Sequence, residues 1–221
     1  AQSQLTMGLS HEIRNPLASI RSGLDALSID PTVEDLKEFL PIAKRTIDRL
    51  TNICENMMRF GKSTSHQMAP CNVNEILTDL LYFVRTTTEK TNVHLTLELG
   101  EVPSIIGDGA SLSQVFTNLI NNAIDEMKSG GELLIKTESA RFKDKDAVTR
   151  DGLVIIIRDT GNGIAPGNLS QIFDSFYSTK YQNMGLGLSI SLKIIDEHKG
   201  IIHVESELQK GTTFKVYLPK G

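Results

Sequence analysis

The chain has 221 residues and a formal net charge of −4, and 39% of its residues are hydrophobic. This length accommodates one large domain or two small ones, and the composition is typical of a globular protein rather than a disordered one. No apolar run approaches the roughly 18 residues that a membrane-spanning helix needs, and no signal peptide opens the sequence. The absence of a basic stripe interleaved with aromatic residues excludes the usual nucleic-acid-binding pattern.

The charge is unevenly divided along the chain. Residues 1–64 carry eight basic and eight acidic side chains, so the negative excess lies in the remainder. Two cysteines, Cys54 and Cys71, are too few for a disulfide framework or a metal site, and we interpret them as reduced structural thiols. The first ten residues already read as helix without a start signal, which suggests a fragment of a longer protein.

The first predicted helix has an apolar stripe that leaves out a histidine. His11 lies about 160° around the helix from Ile13, so we expect its imidazole on the solvent face. A neutral imidazole can act as a nucleophile, and Glu12 could orient the ring or accept its proton. A lone surface histidine is usually only part of a solvated face, so a functional role for His11 needs support from the rest of the chain. The stripe consists of Ile13, Leu17, Ile20, Leu24 and Leu27.

A second helix with the same apolar periodicity follows, and Asp30 and Pro31 are predicted to cap and open it. Two such helices form a hairpin, and pairing with a second copy into a four-helix bundle would bury both seams. We expect kinks at Pro16 and Pro41. The second seam consists of Leu36, Leu40, Ala43, Ile47, Leu50, Cys54 and Met57.

The segment from Gly61 to Pro70, with its Gly, Ser, Thr and Pro residues, ends the helical pattern. We set the boundaries at 1–64 for an all-α helical hairpin, 65–70 for a linker and 71–221 for a second domain. Helices and strands mix in this domain, which predicts an α+β sandwich with helices on one face of a sheet. A polar, charged loop is expected from Arg141 to Asp151. Helices are predicted at 72–84, 109–127 and 187–198, and strands at 93–99, 131–139, 153–159, 201–207 and 212–218.

Several polar residues of the second domain are not explained by packing alone. Asn118 and Asn122 lie one helical turn apart, and amide oxygens suit Mg²⁺. Asp159 ends an apolar strand, where its carboxylate could accept a hydrogen bond from an exocyclic amine such as that of adenine. Gly161 and Gly163 would let the backbone pass close to a flat ring. Taken singly, these features are equally well explained as polar helix surface and a turn.

Gly185 and Gly187 lie at the N-terminus of a predicted helix and could present backbone N–H groups to phosphate. Such a pair is weak evidence by itself. The connection from Ala165 to Met184 is long for a segment without a regular element, which is typical of a lid or a disordered loop. Thr212 opens the last strand, where it could lie near a bound base. The connection from Ala165 to Met184 contains Phe173 and Lys180 among small polar residues.

Taken in chain order, these segments resemble the transmitter core of a bacterial sensor histidine kinase. The family's H, N, G1, F and G2 boxes match SHEIRNPL, NLINNA, DTGNGI, FDSF and GLGLS, and the terminal GTTFKVYLP also fits. The matches come in the family's order and cover essentially the whole chain.

The resemblance implies a dimeric four-helix bundle followed by the ATP-binding fold shared by gyrase, heat-shock chaperones and mismatch-repair ATPases. It implies an ATP-dependent protein histidine kinase that uses ATP and Mg²⁺ in a two-component system. The phosphoprotein would pass its phosphoryl group to an aspartate of a response-regulator receiver domain, and it could also dephosphorylate that regulator. It further implies a homodimer, no nucleic-acid partner, and a cytoplasmic fragment without membrane contact whose upstream sensor region could be membrane-bound.

The same resemblance assigns roles to individual residues. His11 would be the phosphoacceptor, Glu12 its base, and Asn15 the residue that positions water for dephosphorylating the regulator. Asn122 would bind Mg²⁺ and Asp159 would read the adenine amine. The other cofactor-binding residues would be Asn118, Gly161, Gly163, Phe173, Lys180, Gly185, Gly187 and Thr212.

The sequence departs from the family pattern at Asp125, where many members carry a basic residue. Lys180 is our candidate for the phosphate contact that this change removes. Two other functions also remain open. The hairpin with SHEIRNPL argues against a simple ATPase of the same fold, because such an ATPase needs no exposed histidine. Intact Asn122, Asp159 and GLG argue against a dimeric, non-enzymatic scaffold whose degenerate nucleotide site only senses ATP.

Overall fold

The computed structural model describes residues 2–28, 31–61, 67–178 and 185–221, and the side chains of residues 2–12, 48, 49, 52–61, 82, 83, 86, 89 and 90 lie outside that description. The chain divides into two compact units, one made mainly of Ala1–Thr64 and the other of Ser65–Tyr177 and Gly185–Gly221. No helix in these described ranges is long and apolar enough to cross a membrane.

The first unit is a helical hairpin, as the sequence predicts. Helix α1 spans Gln2–Leu27 and helix α2 spans Val33–Gly61, and each continues through its internal proline, Pro16 or Pro41. The helices pack closely where Gly23 faces Phe39, because a Cβ atom at residue 23 would overlap that ring.

The apolar seams of this hairpin are only partly covered within one chain. Leu17 and Leu24 on α1 are 51% and 54% exposed, and Leu40 and Ile47 on α2 are 62% and 53% exposed. Complete burial of such a side chain is worth about 1.5–3 kcal/mol. The seams therefore retain apolar area that a further helical partner could bury.

The predicted cap of α2 at Asp30 and Pro31 is wrong. Helix α2 begins at Val33, so Pro31 lies before the helix, and Asp30 falls outside the described residues. The Asp35 N–H donates to Thr32 Oγ1 at 3.2 Å, and the Thr32 N–H donates to the Asp35 carboxylate at 2.9 Å. This reciprocal pair is a capping box that satisfies amides which the first turn leaves unpaired.

The second unit is an α+β sandwich, which confirms the predicted fold class. Its five-stranded sheet has the order β2-β4-β5-β7-β6, with β2 and β4 parallel and the other neighbours antiparallel. A separate two-stranded sheet pairs β1 with β3. The elements are β1 (Ala69–Cys71), α3 (Val73–Thr91), β2 (Val93–Leu99), β3 (Ile105–Gly107), α4 (Gly109–Glu126), β4 (Gly131–Lys143), β5 (Thr149–Asp159), a short 3₁₀ helix (Pro166–Asn168), α5 (Gly187–Glu197), β6 (Ile201–Glu207) and β7 (Gly211–Pro219).

The core lies on the face of the sheet that the helices cover. Alternation along β4, β5 and β7 buries one side of each strand, as for Ile135, Ile155 and Val216, each with no exposed surface. Helix α4 supplies the opposing apolar layer. Its buried side chains are Leu112, Val115, Phe116, Leu119, Ile120, Ala123 and Ile124.

Several local features of the second unit differ from the prediction, most clearly among its strands. Strands β1 and β3 were not predicted, and β1 begins at Ala69, inside the predicted linker. The predicted loop from Arg141 to Asp151 is wrong, because β4 continues to Lys143 and β5 begins at Thr149. Arg141 and Asp151 are cross-strand partners whose side chains form a salt bridge at 3.1 Å. This attraction between opposite charges supports the pairing of β4 with β5, although the local sequence is polar and charged like that of a loop.

Cys71 is a free, half-buried thiol on β1. Burial, together with the nearby Asp108 carboxylate, raises the pKa of this thiol. It therefore remains protonated at neutral pH, as expected for a structural thiol.

Asn74 ties α3 to the sheet, and its loss should destabilise the second unit. Its Nδ2 donates to Gly100 O at 2.9 Å and its Oδ1 accepts from Thr137 Oγ1 at 2.8 Å. Thr137 is 1% exposed, so Asn74→Ala leaves the buried Thr137 hydroxyl without this acceptor. We expect a loss of about 2 kcal/mol, seen by scanning calorimetry as a fall in melting temperature of about 5 °C. Adding Thr137→Val should recover part of it, whereas an unchanged melting temperature in Asn74→Ala would contradict this role.

The capping box of α2 makes a prediction about pH. Hydrogen bonds from the hydroxyl and backbone N–H of Thr32 hold the pKa of the Asp35 carboxyl below its ordinary 3.8. Because the folded pKa is the lower one, the box stabilises the helix start at pH values above the ordinary pKa and is lost as the pH falls through the lowered pKa. In an NMR titration, Thr32→Val should raise the pKa of Asp35 towards 3.8. The matched variant Thr46→Val, which removes a hydroxyl bonded to Ile42 O in the same helix, should leave it unchanged, and equal values in both variants would refute the cap.

Candidate functional site

The polar segments singled out in the second domain form one continuous site. It is built from α4, the end of β5, the loop after β5, the start of α5 and the start of β7. Hydrogen bonds join Asp159 to Thr212 and Asn118 to Gly187, and the loop at Gly161 packs against Glu126 at the end of α4. Residues distant in sequence are therefore brought together on the helix-covered face of the sheet.

Asp159 is the central residue of this site. It is the last residue of β5 and is 3% exposed, as expected for the end of an apolar strand. Its Oδ1 accepts hydrogen bonds from Gly161 N–H at 2.8 Å and from Thr212 N–H at 3.2 Å. A buried carboxylate needs such partners, because an unpaired one would cost several kcal/mol. The two N–H groups fix its orientation.

The glycines after Asp159 permit close packing of the loop. Gly163 has φ of +67°, and a Cβ atom there would overlap the carbonyl oxygen of Glu207. A Cβ atom at Gly161 would lie 2.7 Å from the Cβ of Glu126. The observed contacts of both glycines are thus with β6 and α4, and their approach to a nucleotide base stays a prediction.

Asn118 and Asn122 of α4 are half-buried and have different surroundings. Asn118 Nδ2 donates to Gly187 O at 3.2 Å and lies 3.4 Å from Ser191 Oγ, so this amide links α4 to the first turn of α5. Its NH₂ group is therefore committed to α5, and only its oxygen is available for a ligand. Asn122 lies one turn further along α4.

The GLG segment, residues 185–187, leads into α5, and its first residue has a left-handed backbone conformation. Gly185 has φ of +65°, and its carbonyl oxygen accepts a hydrogen bond from Phe176 N–H at 3.1 Å. Gly187 is the first residue of α5, and a Cβ atom there would lie 3.7 Å from the Asn118 amide. Phe173 is half-buried in the turns after the 3₁₀ helix, and Lys180 falls outside the described residues.

Ser206 on β6 is a site residue that the sequence analysis missed. Its Oγ accepts from Ile164 N–H at 2.8 Å, lies 3.0 Å from Gly211 O and lies 2.9 Å from Thr212 Oγ1. Thr212 itself is 5% exposed. The alternation of IIHVESE could have revealed Ser206, because it places this serine on the same face as Val204.

The predicted acceptor residues lie on α1. His11 and Glu12 are helical, and their side chains are outside the described ones, so the expected solvent-facing imidazole stays a prediction. Asn15, one turn after His11, is exposed.

Comparisons with known families match both units. A family model described as the His Kinase A (phospho-acceptor) domain matches residues 1–66. A second model, described as Histidine kinase-, DNA gyrase B-, and HSP90-like ATPase, matches residues 107–221, more than half of the chain.

Similar proteins include curated kinases and a solved complex. Sporulation kinase C of Bacillus subtilis is 34% identical over 98% of this chain and 49% of its own length. The sensor histidine kinase ZraS of Salmonella typhi is 32% identical over 99% of this chain and 46% of its own length. The chain thus spans about half the length of these two relatives. The structure of histidine kinase ThkA in complex with response regulator protein TrrA matches with a TM-score of 0.80 and 26% identity, covering 99% of this chain and 61% of that one.

The acceptor-domain and ATPase-domain matches occur in the order that the sequence motifs predict, and the structure has the corresponding helical hairpin and α+β sandwich. The chain therefore belongs to the histidine kinase family, as a transmitter core that combines a phospho-acceptor domain with an ATPase domain.

Proposed function

We propose that this chain phosphorylates His11 from Mg-ATP and transfers the phosphoryl group to an aspartate of a response regulator. The observation that carries the proposal is the buried Asp159 carboxylate, held by two N–H groups inside an ATPase-family domain whose chain also includes a phospho-acceptor helix. We place the helical acceptor domain at 1–64, the linker at 65–70 and the catalytic domain at 71–221.

ATP binds in this proposal against the site around Asp159. The carboxylate accepts a hydrogen bond from the adenine amine, and Thr212 lies beside it through its own N–H contact at 3.2 Å. Asn118 supplies its amide oxygen, and Phe173 borders the pocket. The backbone of the pocket is formed by Gly161, Gly163, Gly185 and Gly187.

Asn122 is the proposed protein ligand of Mg²⁺. Its half-buried amide is a hard oxygen donor on the same helix as Asn118. Within the described residues, no group of three His, Cys, Asp or Glu side chains could hold a metal ion. Phosphate oxygens and water, which Mg²⁺ usually keeps, would supply its other ligands. When bound there, Mg²⁺ would supply positive charge next to the transferring phosphoryl group.

His11 is the proposed nucleophile. An unprotonated ring nitrogen forms a bond to the γ-phosphorus of ATP, the bond from that phosphorus to the bridging oxygen breaks, and ADP leaves with the electron pair. Glu12 accepts the proton that the imidazole loses. Lys180 contacts the phosphates in place of the basic side chain that Asp125 replaces.

The proposed partners follow from both domains. The exposed seams of α1 and α2 would pack against a second copy, giving a homodimeric four-helix bundle. A receiver domain accepts the phosphoryl group, and the ThkA structure, which contains response regulator protein TrrA, supports this class of partner. Asn15 positions water in a phosphatase mode. We place this chemistry in the cytoplasm, where ATP is available, with any membrane anchor upstream.

Phosphorylation of His11 is tested with γ-labelled ATP and Mg²⁺. Wild type should acquire acid-labile, base-stable label, because a phosphorus–nitrogen bond is broken by acid. His11→Gln should abolish the label since the nucleophile is gone. The matched variant His94→Gln, at an exposed position of β2, should keep it.

Other outcomes of this experiment identify the alternatives. Label that persists in His11→Gln would move the acceptor to another residue. Steady ATP turnover without a phosphoprotein would favour a simple ATPase, and nucleotide binding without label or turnover would favour a sensing scaffold.

The variant Asp159→Asn tests whether the carboxylate of this residue binds the adenine amine. The amide keeps the shape of the side chain but can turn an NH₂ group towards the adenine amine, so we expect ADP affinity to fall by about tenfold or more. Titration calorimetry measures this loss. Asp151→Asn, at an exposed position nearer the start of the same strand, is the matched control and should bind like wild type. Equal affinities in the two variants would remove Asp159 from the site.

A further inference from the structure

Ser206 forms a hydrogen-bond junction between three chain segments. Its Oγ accepts from Ile164 N–H in the loop after Asp159, at 2.8 Å. The same atom lies 3.0 Å from the carbonyl oxygen of Gly211 and 2.9 Å from Thr212 Oγ1 at the start of β7. One hydroxyl thus connects the Asp159 loop with the residue whose N–H holds the Asp159 carboxylate.

The directions of these bonds follow from the number of protons. A serine hydroxyl has one proton to donate and two lone pairs. Gly211 O can only accept, and Ile164 N–H can only donate. All three contacts are satisfied together when Ser206 donates to Gly211 O and accepts from both Ile164 N–H and the Thr212 hydroxyl. In this arrangement the Thr212 proton is committed to Ser206.

This commitment determines what Thr212 can offer to a ligand. With its proton held by Ser206, Thr212 Oγ1 presents only lone pairs, and the neighbouring Asp159 carboxylate is also an acceptor. We propose that Ser206 is a positioning residue for base specificity, which keeps Thr212 an acceptor so that the pocket selects a purine carrying an amine over one carrying a carbonyl. The inference rests on the proposed ATP site at Asp159, and it adds a residue that acts through Thr212.

The test compares two nucleotides by titration calorimetry of the whole chain in Mg²⁺. Inosine diphosphate carries a carbonyl oxygen where ADP carries the amine. Wild type should prefer ADP. In Ser206→Ala the Thr212 hydroxyl is released and can donate to the carbonyl, so the preference for ADP should fall by about fivefold. Thr212→Val should lower the preference similarly, and adding Ser206→Ala to it should cause no further change.

A purely structural role for Ser206 gives a different result. If Ser206→Ala weakens ADP and inosine diphosphate by the same factor, or changes neither, the specificity role is overturned. If Ser206→Ala does not fold, Thr212→Val alone tests the proposal. An unchanged preference for ADP over inosine diphosphate in that variant also refutes it. The matched control Ser139→Ala removes a hydroxyl bonded to Glu101 O outside the site and should behave like wild type. Wild type that binds neither nucleotide would instead refute the proposed function.

Discussion

The site depends on one buried carboxylate whose charge the fold must compensate. Asp159 Oδ1 accepts from Gly161 N–H and Thr212 N–H, so the end of β5, the loop after it and the start of β7 are fastened at one atom. Losing either hydrogen bond to this charged group would cost about 1.5–3 kcal/mol. The same two hydrogen bonds thus help to compensate this charge and hold the carboxylate in one orientation.

Sequence patterns predicted those parts of the fold that have a strong local period. The strands at 93–99 and 201–207 match to the residue, because their apolar alternation is bounded by turn residues, Asn92 and Gly200. The sequence places Asp159 at the end of a buried strand because only Arg158 separates it from the apolar run at 153–157. The spacing of Asn118 and Asn122 places them on one face of a helix. The proposed binding roles of these residues come from the family resemblance, because local sequence patterns do not indicate what a residue binds.

The features that were missed depend on contacts distant in sequence or on competing local signals. Strands β1 and β3 have three residues each, too few for a period of two to be recognised. The ends of β4 and β5 are charged, and only the pairing of Arg141 with Asp151 shows that they are strands. At α2 the Asp-Pro pair obscured the Thr32–Asp35 capping box. Ser206 acquires its role from a loop 42 residues away in sequence.

The order of the strands also bears on how the protein is made. The central strand β5 is flanked by β4 and by β7, and β7 is the last strand along the chain. During synthesis the ribosome releases β5 long before residues 211–219, so the nascent sheet has an open edge beside β5. Thr212 supplies an N–H group that holds the Asp159 carboxylate, so the hydrogen bonds around this carboxylate are complete only after the last strand has been released.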